Sequence, residues 1–596
     1  MNDNKNMILA VVLSALLLLG WAWLSETYFP TANPPVTRIE DGKQVPLPQP
    51  RADPTADTPQ AIRDRTQVLR ETAGERLPIA TPRLSGTINL RGARIDDLIL
   101  ITEREGIARN SPPIRLFSPS GTPDSYFAEL GWTGAPQGTA LPNATTLWQR
   151  RGERLAPGSP VTLWWDNGRG QRFEIALSVD ADYMFRAEQR ILNRGAGLIT
   201  ARPYSTVSRR GGLRGNEVDG WTVHVGPMGV FDGEADYDSD FSTIAEAPGG
   251  RIERASTGGW VGFTDTYWLA AAIPAQASQV TTEFRHVPAT DRYQASFVGP
   301  PVSAAPGTAA VYTSHLFAGA KEVELLEDYS DALGTPLEQA IDWGWFEWFM
   351  KPIFSLLNWL FFQIGNFGVA IICLTFIVRL LLFPIAQKQF ASFAKMRVIQ
   401  PKMKALQERY ADDKPRMQQE VMKLYKEEKV NPAAGCLPIL LQIPIFYALY
   451  KVLLVSVEMR HQPFALWIKD LSAPDPLTPV NLFGFLDFTP PSLLAIGVLP
   501  ILLGITMWLQ FKLNPQMPDP VQRQIFALMP WILMFAMAPF AAGLQLYWVT
   551  NNILTIAQQK WLYSRNPEMK EPVAAAAPPP PPPPPGPRKG RMPRAK

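Results

Sequence analysis

One guanidinium constrains this chain more than any other feature. From Ile353 to Gln387 the sequence carries a single charge, Arg379, and no other long hydrophobic segment holds an acidic residue to neutralise it. At about 1.5 Å of rise per residue, Arg379 lies roughly 21 Å beyond Gly365 and roughly 13 Å before Lys388, the next charge. In a helix that crosses a bilayer this is near the midplane. An arginine there costs roughly 2.5–3.5 kcal/mol on insertion scales and normally faces a bundle interior or a wet cavity. Two readings stay open. The flexible stem can carry the charge toward the headgroups, with local thinning covering the remaining distance. Alternatively, water solvates the guanidinium in a hydrophilic cavity of the membrane domain, because no carboxylate is available at that depth. We take the second as the expectation, and it places the function in that cavity.

Six segments, at residues 7–24, 363–385, 436–456, 493–512, 525–541 and 543–561, are apolar enough and nearly long enough to span about 30 Å of hydrocarbon. The 596 residues exceed one domain, and the net charge of +3 says little because the charge is unevenly spread. The first segment follows Lys5, ends in Trp21 and Trp23 and lacks a small-x-small cleavage site, so an uncleaved anchor is expected rather than a signal peptide. Orientation comes from residues 386–432, with eleven basic residues against six acidic ones, which the positive-inside rule makes cytoplasmic. Parity then puts residues 1–6, the 513–524 loop and the basic, proline-rich tail 562–596 inside, and the long polar region and the 457–492 loop outside. The two cysteines, Cys373 and Cys436, fall in or beside spans, so the exported domain has no disulfide and must rely on an ordinary core.

Residues 25–80, rich in Pro, Asp, Thr and Arg without apolar periodicity, read as a disordered tether. Residues 81–335 read as an antiparallel β-sandwich. Leu84, Ile88 and Leu90 share one strand face, Phe173, Ile175, Leu177 and Val179 alternate strictly, and Asp166-Asn167-Gly168 marks a hairpin before that run. Residues 340–362 are dense in Trp and Phe among Asp342, Glu347 and Lys351, as suits an amphipathic helix in the outer interface or a simple aromatic anchor for the next span. In 386–432, Pro401 and Pro415 can each occupy a first helical turn, and Asp412 and Asp413 can cap the second helix. Met403, Leu406, Tyr410, Met417, Val421 and Leu424 recur at helical spacing, so a helical hairpin with a basic exterior is expected. Lys395, Arg397, Lys402, Lys404, Arg409 and Lys426 are its candidate partner contacts; attraction to anionic phospholipid explains the same charges.

Polar residues gather in two other spans: Gln442, with Pro438 and Pro444, in the third, and Gln545, Tyr547, Trp548, Asn551 and Asn552 in the sixth. Such residues often only hold helices together, yet around a wet cavity they are candidate lining groups. There is no P-loop, HExxH, GxSxG or CxxC pattern, and His224, His286, His315 and His461 are scattered, so no enzyme, metal, cofactor or DNA partner is expected. A transporter or channel with a buried charge, and a membrane-tethered receptor that binds or processes sugar, remain as rival readings.

Residues 340–563 closely resemble the YidC family of membrane protein insertases, in its long Gram-negative form. The resemblance rests on Gly-Asn-Phe-Gly (365–368), Ile-Cys-Leu-Thr-Phe-Ile-Val-Arg (372–379) with Pro384, Ala-Lys-Met-Arg (394–397), Gln-Pro-Lys (400–402) and Leu-Tyr-Lys (424–426). Val-Asn-Pro (430–432) with Gly435, Cys436 and Pro438, Gln-Ile-Pro-Ile-Phe (442–446) and Pro-Phe-Ala-Leu-Trp-Ile (463–468) extend it. Thr-Pro-Arg-Leu-Ser-Gly (81–86), Gly-Ala-Arg-Ile-Asp-Asp-Leu (92–98) and Gly-Trp-Val (259–261) resemble the family's periplasmic domain, and the outer loop 474–492 is longer than the family pattern. The resemblance implies a six-span bacterial inner-membrane protein with both termini cytoplasmic. Its five-helix core would form a groove open to cytoplasm and lipid, and its periplasmic domain a β-supersandwich. It further implies that Arg379 is the groove arginine, that Thr375 lines the groove and that Trp548 touches substrate. The implied partners are nascent membrane proteins, the Sec translocon and the ribosome.

Overall fold

The computed structural model describes residues 37–40, 43–46, 62–136, 139–213, 223–410, 413–428, 437–483, 485–486, 495–513 and 520–565. The expected anchor at 7–24, most of the expected tether and the tail beyond 565 lie outside them.

Alternation of apolar and polar residues builds two antiparallel sheets packed face to face. The first runs, edge to edge, Glu234–Asp236, Gly226–Phe231, Trp260–Thr264, Trp268–Ile273, Ala309–Ala320, Met184–Asn193, Gln171–Val179, Val161–Asp166 and Gln149–Arg151. The second runs Arg251–Thr257, Gln279–Val287, Arg292–Val298, Ile199–Arg210, Tyr126–Thr133, Arg94–Arg104, Leu84–Asn89 and Arg76–Ala80, with Pro113–Phe117 and Val302–Ala304 paired beside it. Phe173, Ile175, Leu177 and Val179 all face the interior, as strict alternation requires. Leu84 and Ile88 are both fully buried, and a register shift between Thr87 and Ile88 accommodates the pairing with Arg94–Arg104. After Asp166 the Asn167 side chain accepts from the Arg169 and Gln171 amides and turns the chain back.

The ordered domain starts before residue 81, which corrects the reading of 62–80 as tether. Helix α1, Arg65–Glu71, is capped by Asp64, and Arg76–Ala80 is an edge strand. Arg65 pairs with Asp97 and Arg76 with Asp96, so charges that looked solvated close onto buried carboxylates of the second sheet. Two further helices interrupt the β pattern: α2, Phe241–Glu246, and α3, Val323–Leu333.

Glu283 yields a test of this domain. It is 1% exposed, its nearest cation is Arg251 at 3.6 Å, and burial, reinforced by Glu253, pushes its carboxyl from 4.5 up to about 7. Because the folded value is raised, the stability linked to this group is fully present at acidic pH and is lost as pH rises through about 7. The total is on the order of 3 kcal/mol at most. Glu283→Gln is therefore expected to raise the unfolding midpoint at pH 8 and to flatten its dependence between pH 5 and 8; an unaltered dependence in thermal melts would refute the assignment.

The helical part begins with α4, Glu347–Ile364, which buries Met350, Phe354 and Leu357 and exposes Trp348, Trp359 and Phe362. Gly365, at φ 77°, ends it in the left-handed region, and the Asn366 side chain caps α5, Phe367–Leu381. The expected continuous span 363–385 is thus broken at both ends. Pro384, which has no N–H to continue the α5 ladder, sits in the first turn of α6, Phe383–Arg409, and the chain bends by 62° there. Helix α7, Lys414–Glu427, starts with Pro415 in its first turn and the Asp413 side chain accepting from the Arg416 amide. Pro401 instead lies inside α6, because α6 runs unbroken past it rather than restarting there. Met396, Ile399, Met403, Leu424 and Tyr425 close the α6–α7 seam, with Leu406 and Val421 against it. The remaining helices are α8, Leu437–Val455; α9, Val498–Leu513; α10, Pro520–Met537; and α11, Ala542–Arg565, which packs against α5 and α9. Among the described residues no single helix is both long and apolar enough to cross a membrane; the bent pair of α5 and the start of α6 passes that test together.

The β domain meets the helices through polar contacts. The Val323 amide at the start of α3 donates to Glu458 at 2.8 Å, Asn358 donates to Glu324 at 3.0 Å, and Arg460 donates to the Arg104 carbonyl at 2.7 Å. Lys451, inside α8 and 1% exposed, reaches Asp342 at 3.2 Å, and Asp342 also accepts from the His224 amide.

Candidate functional site

At 3.6 residues per turn, side chains four apart share a helix face, and those seven apart return to nearly the same line. Helix α11 therefore carries two polar stripes, about 100° apart around its axis. Tyr547, Asn551 and Thr555 form one; Gln545, Asn552 and Gln559 form the other.

The first stripe faces Arg379, which projects from the last turn of α5. Arg379 Nε donates to Asn551 Oδ1 at 2.7 Å and Nη2 to the Asn551 carbonyl at 3.3 Å. Nη2 also donates to Thr555 Oγ1, which itself donates to the Asn551 carbonyl at 2.6 Å. Among the described residues Nη1 makes no hydrogen bond and no carboxylate pairs with the guanidinium. The charge is thus held by an amide, a hydroxyl and a carbonyl, which orient it without neutralising it. Solvation by water alone was the expectation; protein dipoles from α11 supply at least half of the partners. Close by, Gln442 of α8 donates to Tyr547 Oη at 2.5 Å, and Trp548, partly exposed, packs edge-on against Phe446 with ring centres 4.7 Å apart.

The second stripe is a helix-helix seam. Gln545 Nε2 donates to the Met537 and Phe540 carbonyls at 2.9 and 2.8 Å, closing the end of α10. Asn552 Nδ2 donates to Thr506 Oγ1 of α9 at 3.2 Å, and Gln559 Nε2 to the Leu513 carbonyl at 3.2 Å. Thr375 is buried as well, with its hydroxyl donated to the Ile371 carbonyl of its own helix at 2.6 Å. Of the seven groove candidates, Arg379 and Asn551 meet directly, Gln442 meets Tyr547 of the same stripe, and Trp548 packs against Phe446 of α8. Thr375, Gln545 and Asn552 turn to partners within the helix packing. Tyr547, one of the polar residues singled out in the sixth span, lies on the Asn551 stripe; Thr555 was missed as a site residue, although its four-residue step from Asn551 was the available signal.

On the hairpin, Lys395, Lys404 and Lys426 are exposed, Lys402 pairs with Glu428 at 2.6 Å, and the Arg409 guanidinium lies 5.7 Å from the Tyr410 ring centre. The side chain of Arg397 lies outside the described residues. No group of three or more His, Cys, Asp or Glu side chains suited to a metal occurs among the described residues.

Two family profiles match the chain: the 60Kd inner membrane protein over residues 359–570, and the YidC periplasmic domain over residues 76–356. A membrane protein insertase YidC of Zymomonas mobilis is 48% identical over 572 residues, covering 96% of this chain and 97% of the relative. One from Methylorubrum extorquens is 44% identical over 594 residues, covering 95% and 96%. Among solved structures, an active YidC insertase with its first transmembrane domain resolved aligns over 84% of this chain and 95% of its own, at 18% identity and a TM-score of 0.35.

Proposed function

The chain belongs to the YidC family of membrane protein insertases, and from that premise we propose that Arg379, as held by Asn551 and Thr555, is the point at which a nascent segment's exported flank is received. The protein is an inner-membrane insertase, not an enzyme, with a periplasmic β-sandwich domain, and its substrates are nascent membrane proteins. The single observation that carries the proposal is a guanidinium fixed by neutral groups, with Nη1 left for an incoming acceptor.

In this reading a nascent hydrophobic segment enters a groove that opens to the cytoplasm and to lipid and is lined by Arg379, Gln442 and Trp548, with the buried Tyr547 holding Gln442. A carboxylate about 4 Å from Arg379 gains a few kcal/mol at intermediate dielectric. That is commensurate with bringing a short polar flank partway across. Transfer of the segment's apolar surface to lipid, at about 25 cal/mol per Å², then draws it sideways out of the groove. The insertase lowers a barrier and performs no uphill work, which is consistent with a chain that shows no nucleotide-binding motif. With six apolar segments as spans, the basic charge of 386–432 puts both termini in the cytoplasm, and helix α4 lies in the outer interface. The basic exterior of the hairpin, Lys395, Arg397, Lys402, Lys404, Arg409 and Lys426, meets ribosomes, the Sec translocon or anionic phospholipid. Family membership favours this reading over a channel or a tethered sugar receptor.

Photo-crosslinking to a stalled nascent chain tests the lining. Probes at Gln442 and Trp548 are expected to capture it, whereas probes at Gln545 and Thr375, whose side chains point into the packing, are not. Equal capture at all four positions, or none at 442 and 548, would contradict the proposed groove.

A further inference from the structure

The loop joining α8 to α9 displays large apolar side chains that the packing of the chain leaves uncovered. Phe485 is 88% exposed, and Val480, Leu482, Phe483 and Leu486 are exposed beside it. A contiguous apolar patch of this kind marks a surface that something covers.

The patch is built, not frayed. The Leu482 amide donates to Pro479, Phe483 to Thr478 and Leu486 to Asn481, at 3.0, 2.9 and 3.1 Å. Leu482 and Phe483 take φ of 51° and 59°, in the left-handed region that costs a non-glycine residue roughly 1–2 kcal/mol. The backbone is therefore held in an unfavourable conformation that turns consecutive apolar side chains outward. The root of the loop is tied to α9: the Val498 amide donates to the Leu477 carbonyl at 3.0 Å, and the Leu499 amide to Asp475 at 2.7 Å. Trp467 also donates to Asp475, and Asn366, which caps α5, donates to the Phe464 carbonyl at 2.9 Å. The start of α5, the start of α9 and this loop thus lie in one layer. Between residues 471 and 511 the only charges are Asp475 and Asp487, with no basic residue. Charge attraction to anionic headgroups is therefore absent, and apolar transfer is the available driving force.

We infer that Leu482, Phe483, Phe485 and Leu486 form an outer-leaflet anchor, seated at the boundary between lipid headgroups and acyl chains beside α9. The inference rests on the orientation proposed above, in which residues 457–492 lie outside. The anchor fixes the α8–α9 corner in the bilayer, as α4 fixes the entry to α5.

The test uses the full chain with Cys373→Ser and Cys436→Ser, a nitroxide on Phe485→Cys or Leu486→Cys, and vesicles of phosphatidylcholine with or without phosphatidylglycerol. Collision with oxygen is expected to exceed collision with a water-soluble nickel chelate at both positions, in both lipids, and to be the weaker of the two at Arg109→Cys in the β domain. Nickel collisions at 485 and 486 equal to those at 109 would place the loop in water. Suppression of both probes would place it against protein, and a depth seen only with phosphatidylglycerol would make the attachment electrostatic; each overturns the inference. Orientation is read separately, by an impermeant maleimide on Lys469→Cys, Arg109→Cys and Lys402→Cys in sealed vesicles. If 469 and 402 prove to share a side, the orientation fails whatever the depth at 485.

Discussion

Arg379→Ala is expected to slow insertion of a substrate with an acidic exported flank by roughly two orders of magnitude, because the lost attraction of about 3 kcal/mol converts at 1.4 kcal/mol per tenfold. Arg379→Lys keeps the charge and is expected to retain more of the rate than Arg379→Ala does. It loses the Nε contact to Asn551 and the planar fork, so the loss should be nearer tenfold than a hundredfold. Asn551→Ala combined with Thr555→Val leaves the charge in place but removes its orienting groups, and is expected to fall between the two. Protease protection of a labelled substrate in reconstituted vesicles reads all three. A full rate for Arg379→Ala on the acidic substrate would remove the charge from the mechanism.

The second large effect concerns Asp342. Lys451 is 1% exposed within α8, and Asp342 meets it at 3.2 Å from the segment that connects the β domain to α4. Removing one member of a fully buried ion pair costs about 3–5 kcal/mol; the Asp342 side chain is 18% exposed, so the loss is expected toward the lower end of that range. Asp342→Ala is accordingly expected to lower the unfolding midpoint of the full chain sharply. Asp342→Leu with Lys451→Met, which removes both charges, is expected to recover most of the loss. A chain lacking residues 85–320 keeps Asp342 and Lys451 together and is expected to retain most insertion activity. A midpoint unchanged by Asp342→Ala would show that the pair does not join the two parts.

The fold and site were legible to different depths. Periodicity alone marked Phe173–Val179 as a half-buried strand, and Pro415 with Asp413 marked the start of α7, because each depends on residues within a few positions. Arg379 stood out because its surroundings are uncharged, and Asn551 because amides are rare in spans. Where a polar side chain finds its partner was not legible in the sequence. Thr375 and Gln545 looked like lining groups, yet one donates to its own helix and the other closes the neighbouring one. Thr555 was passed over because one hydroxyl in a helix is commonplace; only the approach of α5 gives it a role. Lys451 is likewise explained by a carboxylate far away in sequence. Residues 62–80 read as tether because they show no apolar periodicity, while the carboxylates that pair with Arg65 and Arg76 lie on the strand Arg94–Arg104.

In the proposed function Arg379 acts on the charge of the substrate's exported flank. The most direct measurement is a double-mutant cycle in reconstituted vesicles, crossing Arg379→Ala with neutralisation of that flank by Asp→Asn, and reading initial rates of insertion. Strong coupling is expected: the alanine chain loses roughly a hundredfold on the acidic substrate and little on the neutral one. The same loss on both substrates would show that Arg379 supports the helices rather than receiving the substrate's charge.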